Sequence, residues 1–471
     1  MPDEREADRH TYLEVGVVRI HHYLSRTRDL KGLRGASGWI SDVTDRDRLG
    51  DWIAAIPECA EAGLAVATDA GEADGVIPLQ TALGVDVRPA AAALMGRIRE
   101  RLPAVELKAY MSHGSSYVDA YQAGRREVAT SLAAPLDFPA LSTCGQCRVD
   151  AAVDSIDLYG EPAAVCVDCA ARYVGRYRRA GLRTGTAPVR PEREMLYQLN
   201  QAVEEAVPTF DALARLGGGD TNQNHLATVC ADGNGMGQLF EAAAKSGDPS
   251  LVRRLSRQVS DTTRAALVAA AQAVRGDDRV AVIPHVVGGD DLVVSVVADR
   301  AWPFVVRFLS EFSDRLGSDP AVVDLLGGRA PSAAAGVVFA HTKFPFRRCV
   351  ELAESLQGTA KRAHRGEAAA VAWLDVTREG EQPPAARRSW TVADLAGFDG
   401  ALRELRQVDA AARARLERLA DPAHGPVSLL RLREHGRRLD RATVLDPFIA
   451  GEPSAAVAQL ADALALARWW R

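Results

Sequence analysis

Val286-Val287-Gly288-Gly289-Asp290-Asp291-Leu292-Val293-Val294 sets two glycines and two acids between apolar runs. That pattern predicts a β-hairpin whose tip carries adjacent carboxylates. Glycines let the backbone turn tightly and approach a phosphate closely, while paired carboxylates at a strand end gather enough negative charge to hold divalent cations. Alone the motif is weak evidence, because ordinary hairpin turns use the same residues.

A second acid upstream strengthens it. His225-Leu226-Ala227-Thr228-Val229-Cys230-Ala231 reads as a buried strand and runs into Asp232-Gly233-Asn234-Gly235-Met236-Gly237 before a helix from Gln238. Strand, acid, glycine-rich turn and helix make a second corner suited to phosphate and metal. If the two strands are neighbours, Asp232 faces Asp290 and Asp291 across a site that bridges nucleotide phosphates and activates a 3′-hydroxyl. The opposing reading is two unrelated surface turns.

With these residues in view, the chain resembles the large, polymerase-like subunit of type III CRISPR effector complexes, whose second palm domain carries a Gly-Gly-Asp-Asp hairpin. Further blocks carry the resemblance: Tyr23-Leu24-Ser25-Arg26-Thr27-Arg28-Asp29-Leu30-Lys31-Gly32-Leu33-Arg34-Gly35-Ala36-Ser37 near the N-terminus, then Gly336-Val337-Val338-Phe339-Ala340-His341-Thr342-Lys343-Phe344-Pro345-Phe346-Arg347 and the helix through Glu351, Ala353 and Lys361. It runs from about residue 12 to the C-terminus and is most specific from Leu226 to Lys361.

The resemblance implies a synthase that polymerises ATP into cyclic oligoadenylate when its complex binds target RNA. It implies that Asp232, Asp290 and Asp291 hold two Mg2+ or Mn2+ ions and that Gly233, Gly288 and Gly289 border nucleotide phosphate. Lys361, with Lys343 as a lesser candidate, would neutralise triphosphate charge. The chain has only five lysines, Lys31, Lys108, Lys245, Lys343 and Lys361, against a great excess of arginine. A compact ammonium suits phosphate, so two of them at these positions agree with that role; the opposing reading puts Lys361 on the polar face of a helix. Where family members often carry another acid, this chain has Asn234, which accepts a contact but adds no charge. Implied partners are ATP, guide and target RNA reached through other subunits, and a small helical subunit docking on the C-terminal domain.

The cysteines give an independent signal. Cys144-Gly145-Gln146-Cys147 and Cys166-Val167-Asp168-Cys169 are knuckles eighteen residues apart, a spacing that closes one tetrahedral zinc site. Four thiolates leave no open position, so the zinc is structural. A redox dithiol or a site that has lost its metal are the alternatives. Cys59, Cys230 and Cys349 are not spaced as ligands and read as small core residues.

With 471 residues, 47% of them hydrophobic and 25% charged, the chain is globular with several cores. A net charge of −5 gives no global attraction to nucleic acid, so any RNA contact needs a local patch. No run is long and charge-free enough to span a membrane, and reduced knuckle cysteines fit a cytoplasmic protein.

The expected fold class is α/β (α+β): two ferredoxin-like palm domains, a zinc-ribbon insertion and a C-terminal helical bundle. Residues 11–140 form the first palm, which lacks a Gly-Gly-Asp-Asp of its own. Residues 141–180 are the zinc module, 181–219 a linker or helical segment, 220–380 the second palm and 390–471 the helical domain. Arg172, Arg176, Arg178, Arg179, Arg183, Arg190 and Arg193 beside Tyr173 and Tyr177 suit RNA stacking and backbone contact, or equally a solvated helix and loose linker. No histidine-aspartate nuclease pair precedes the palm, and His21-His22 reads as structural, so no cleavage of single-stranded DNA is expected. Two other functional readings stand beside the synthase. One is a catalytically weak scaffold of the RNA complex, and the other is a stand-alone palm cyclase with a different nucleotide product.

Overall fold

The computed structural model describes residues 9–470 apart from 28, 71–74, 133–141, 159, 176–189, 203–205, 218–223, 247, 277–278, 386 and 439–441. Two sheets organise it, and both use the same order of connection.

In the first sheet, β1 (His10–Val18) pairs antiparallel with β3 (Val76–Ala82) on one side and β4 (Glu106–Gly114) on the other. The short β2 (Ala65–Val66) flanks β3, and β5 (Arg126–Ser131) extends the far edge, giving the order β2-β3-β1-β4-β5. Helices Leu30–Thr44 and Arg88–Arg99 connect β1 to β2 and β3 to β4. A β-α-β-β-α-β chain with these neighbours is the ferredoxin-like arrangement.

The second sheet repeats it with a longer second strand. β8 (His225–Gly233) lies between β10 (Asp291–Val297) and β11 (Ala333–His341), and β9 (Val282–Gly288) pairs with β10. Helices Met236–Lys245 and Pro249–Ala273 link β8 to β9, and Ala301–Gly317 links β10 to β11. β12 (Ala370–Asp375) adds parallel to β11, and β13 (Trp390–Thr391) closes the edge. The structure therefore carries the expected two ferredoxin-like sheets. Between them a hairpin of β6 (Asp154–Leu158) and β7 (Glu161–Val165) carries the cysteine knuckles.

Period-two alternation decides which residues face which layer. Val229, Ala231, Leu292, Val294, Val337 and Phe339 join the core under the two long helices. Cys230, Val293, Ala334 and Val338 face the helix Phe346–Ala363 on the other side, packing on Cys349, Val350, Ala353 and Leu356. By parity, Asp232 and Asp291 belong to this second face. Strand β11 reads AAAGVVFAH, and its small residues let that helix come close. At Gly336 a Cβ would stand 1.9 Å from the Ala353 carbonyl oxygen and 2.6 Å from the Gln357 nitrogen.

The C-terminal helices share the second palm's core rather than building one apart. Trp469 is fully buried, stacks on Phe339 with ring centroids 5.2 Å apart, and donates to Asp375 Oδ2 at 3.0 Å. The same carboxylate binds Arg468 at 2.6 Å. Thr391 and Asp394 form a capping box opening this helical stretch.

Gly336→Ala tests the close approach. The added methyl must push the helix Phe346–Ala363 off the sheet, so stability falls by about 1–3 kcal/mol, the usual penalty for overpacking, measured as a lower urea midpoint at unchanged slope.

Candidate functional site

The antiparallel register of β10 on β8 sets Leu292 opposite Ala231, which puts Asp291 and Asp232 side by side one step further along. Asp290 sits in the two-residue turn, where Gly289 adopts φ 58°. Thr263, from the helix Pro249–Ala273, donates to the Gly289 carbonyl at 2.7 Å and holds that turn in place. Asp290 lies directly on Gly233: a Cβ there would stand 2.9 Å from its Oδ2. The three acids that the sequence singles out thus meet at one corner, with Gly233, Gly288 and Gly289 around them.

The helix Phe346–Ala363 supplies the other side. Glu354, Gln357 and Lys361 follow the i, i+3, i+7 spacing of one helical face. Lys361 Nζ donates to Asp232 Oδ2 at 2.5 Å and to the Gly233 carbonyl at 2.8 Å, and Gln357 Nε2 reaches the same Asp232 oxygen at 3.1 Å. Lys361 here neutralises an acid of the corner itself.

Crowding of like charge shows in the acids. Burial, a hydrogen bond with Asp232 and the charges of Asp232 and Asp291 push the Asp290 carboxyl up to about 8. Burial and the Asp232 charge also raise Asp291, against the opposing pull of His21 and Lys361. Hard oxygen donors kept at the edge of ionisation fit divalent cations, which relieve such crowding. The three acids are not drawn into one tight cluster: among the described residues, the four cysteines are the only group of three or more His, Cys, Asp or Glu side chains whose ligating atoms all lie within 4.8 Å of one another.

Two residues were not legible as part of this corner. Glu354 and His21 meet at 2.6 Å, His21 coming from the first palm on the helix Ile20–Leu24. Burial works against charge on His21, but the Glu354 hydrogen bond and the charges of Asp291, Glu354 and Asp232 raise its pKa overall. The sequence reading gave His21 an ordinary structural role and did not include this contact, because a pair 333 residues apart leaves no local signal.

Lys343 is placed elsewhere. Its strand neighbour His341 pairs with His225 while Ala333 pairs with Gly233, so Lys343 sits at the opposite end of β8 from the acids. It is exposed and bonds Asp211 at 2.8 Å. The sequence expectation fails here because a nine-residue strand lies between motif and lysine. Asn234 is 3% exposed and donates to Ser332 Oγ and the Ala368 carbonyl, so its amide nitrogen braces two loops.

The cysteine knuckles converge as spaced. Cys147 and Cys166 sulfurs lie 3.7 Å apart, close to the ~3.8 Å edge of a tetrahedron with ~2.3 Å zinc–sulfur bonds. Backbone N–H groups of Gln146, Val149 and Cys169 point at sulfurs from 3.4 Å, as thiolates require. This four-cysteine cluster is compatible with zinc. Arg172 and Tyr173, for which RNA contact and a solvated helix were equal readings, are buried: Arg172 pairs with Asp168 at 2.7 Å and lies over the Tyr23 ring, while Tyr173 donates to Asp29. Arg176, Tyr177, Arg178, Arg179 and Arg183 lie outside the described residues.

Fold and acid corner together define a palm domain. Residues 225–369 match the family model of the Cas10/Cmr2 second palm domain. Solved structures similar to the whole chain include the apo Csm1-Csm4 cassette, at 13% identity and TM-score 0.56, covering 100% of this chain and 71% of that one. The cassette in complex with cA4 is also similar, at 13% identity and TM-score 0.51 over 98% and 70% of the two chains. The Csm1-Csm4 subcomplex of a type III-A CRISPR-Csm interference complex matches at 12% identity and TM-score 0.51 over 99% and 71%. At these identities the likeness establishes the fold. No curated protein matches the chain by sequence.

The proton on Asp290 makes stability depend on pH. The folded chain keeps it up to about pH 8, whereas the unfolded chain releases it near pH ~4. The folded state therefore binds the extra proton in that window, and stability contributed here falls as pH rises through it. Asp290→Asn should flatten that decline, read from urea midpoints measured across the window from weakly acidic to weakly alkaline pH. Separately, Cys147→Ser should abolish stoichiometric zinc in the purified protein, measured by elemental mass spectrometry, and lower the first unfolding transition.

Proposed function

We propose that the chain is the nucleotide-polymerising subunit of a type III CRISPR effector complex, joining ATP into cyclic oligoadenylate when target RNA is bound. The observation that carries the reading is the meeting of Asp232, Asp290 and Asp291 at the strand ends of a domain that matches the Cas10/Cmr2 second palm. The comparison cassette bound to cA4 supports the product class.

In this reading the carboxylates hold two divalent cations, which supply charge neutralisation at the α-phosphate and the attacking 3′-oxygen. Asp232 and Asp291 present their carboxylates from strands that share one face. The Gly288-Gly289 turn leaves room for phosphate close to the backbone. Lys361 exchanges its bond to Asp232 for triphosphate oxygen as pyrophosphate leaves, keeping the local charge balanced. The four-cysteine knuckles hold one structural zinc that ties the module carrying Asp168 and Arg172 to the first palm. ATP enters as substrate. Guide and target RNA act through other subunits, a small helical subunit docks on residues 390–471, and the assembly works in the cytoplasm. Among the described residues no helix is long and apolar enough to cross a membrane.

Labelled ATP and, separately, labelled GTP are incubated with magnesium or manganese, alone and with RNA-loaded partner subunits, and products are resolved by mass spectrometry. Cyclic oligoadenylate made by the wild type and lost in the Asp290→Asn, Asp291→Asn double variant is the expected result, with a drop of at least ~100-fold, typical of removing essential transition-state contacts. A guanosine product redirects the assignment to another palm cyclase, and no product in any condition supports the scaffold. Lys361→Ala should raise the KM for ATP more than it lowers kcat if its role is phosphate binding.

A further inference from the structure

We propose that the furrow between the helices Pro249–Ala273 and Ala301–Gly317 binds the backbone of single-stranded RNA, with Arg254 and Arg257 gripping phosphates and Arg253 reinforcing the positive field. The contact belongs to this chain itself and is additional to any RNA reached through other subunits.

Three observations converge on the furrow. First, it is built: the two helices pack side by side and leave a cavity of about 740 Å³ in which Arg253, Arg254, Arg257 and Arg315 outnumber Asp261 and Asp319. Second, its cations are unanswered. Among the described residues Arg253, Arg254 and Arg257 enter no ion pair, and Asp248 feels the Arg254 charge only from beyond pairing distance. The two acids of the furrow are engaged elsewhere, Asp261 facing Arg264 at 3.8 Å and Asp319 capping the helix Pro320–Leu325. Glu311 is shared by Arg307 and Arg315. Third, the imbalance reaches inward, since Arg253 Nε is shielded from water without a hydrogen-bond partner. Other arginines of the chain show the contrast, Arg34 meeting Glu192 at 2.6 Å and Arg387 meeting Glu379 at 2.5 Å. In a chain of net charge −5, three neighbouring guanidinium groups left unpaired make a local positive field.

The chemistry selects the occupant. Arg254 and Arg257 are exposed and share one helical face, and a guanidinium fork binds phosphate oxygens bidentately. A protein partner would need aromatic or large apolar anchors, but the largest apolar side chain lining the furrow is Ala265. Helices packed side by side lie ~8–10 Å apart, which admits one strand and not a duplex. Side-chain oxygens of Gln258 and Ser318 stand beside the arginines to accept a 2′-hydroxyl, the group that separates RNA from DNA. Without rings to stack on, the furrow holds backbone alone and is indifferent to sequence. The same helix touches the acid corner: Thr262 lines the furrow, and Thr263 donates to the Gly289 carbonyl at 2.7 Å.

Fluorescence anisotropy of a labelled single-stranded RNA is measured on the full chain from ~50 to ~200 mM salt, with DNA of the same sequence and with polyglutamate or unlabelled RNA as competitors, alongside hydrogen exchange. Wild type should bind RNAs of different sequence alike and gain protection in the helix Pro249–Ala273. Arg254→Ala with Arg257→Ala should weaken RNA about 10- to 100-fold at the lowest salt and flatten the salt slope by ~1.4, two single-strand phosphate contacts at ~0.7 each. Arg254→Lys with Arg257→Lys keeps the charge and should keep the slope. The Asp290→Asn, Asp291→Asn variant should bind RNA as wild type does, which separates this contact from synthase chemistry. The proposal is overturned if wild type binds no RNA, if the alanine pair keeps wild-type affinity and slope, or if protection appears only away from this helix. DNA bound as tightly as RNA overturns the assignment to RNA, and polyglutamate displacing the strand as readily as unlabelled RNA does marks an acidic protein partner instead.

Discussion

Everything at the acid corner follows from the antiparallel register between β8 and β10. A slip of one residue would send Asp232 and Asp291 to opposite faces, whereas the observed pairing of Leu292 with Ala231 brings them together. Both strands are nearly continuous apolar runs, so burial on two faces secures the register. The result concentrates negative charge at a strand end. Asp290 answers by holding its proton, and Lys361 and Gln357 answer by bonding Asp232.

Holding those answers in place is the work of the helix Phe346–Ala363. Alanine and glycine in β11 bring the helix so close that a methyl group at Gly336 would strike its backbone. Close contact turns Gln357 and Lys361 toward Asp232 and Glu354 toward His21. The first palm is fastened nearby through buried pairs such as Arg34 with Glu192, at 2.6 Å, and through Ser37 on the His285 carbonyl. Buried ion pairs of this kind are weak sources of stability but strong constraints on which arrangement is allowed. The C-terminal tryptophans close the other end of the sheet by the same logic, with Asp375 accepting from Arg468 and Trp469.

Much of this was legible in the chain. The hairpin, the strand before Asp232 and the interval between the cysteine knuckles all rest on local patterns of turn, period or ligand spacing. Local patterns fail where a residue's meaning lies in a distant partner. Lys343 was singled out by the family resemblance of its block, yet it lies at the far end of β8 from the acids, bonded to Asp211. Arg172 and Tyr173 look like cations and aromatics awaiting RNA, yet the zinc module buries them against Tyr23 and Asp29.

Local chemistry along the chain was thus enough to specify the elements and the acids: glycines that permit a tight turn, apolar runs that must be buried, cysteines at the interval of one tetrahedron. Each of these is a property of a few consecutive residues. Packing in three dimensions selected which lysine belongs to the acid corner, made Asp290 keep its proton, and brought His21 of one palm to Glu354 of the other. Those facts depend on distances between segments far apart in the chain, and electrostatic and hydrogen-bond energies fall off within a few ångströms, so no stretch of sequence could fix them before the two palms came together.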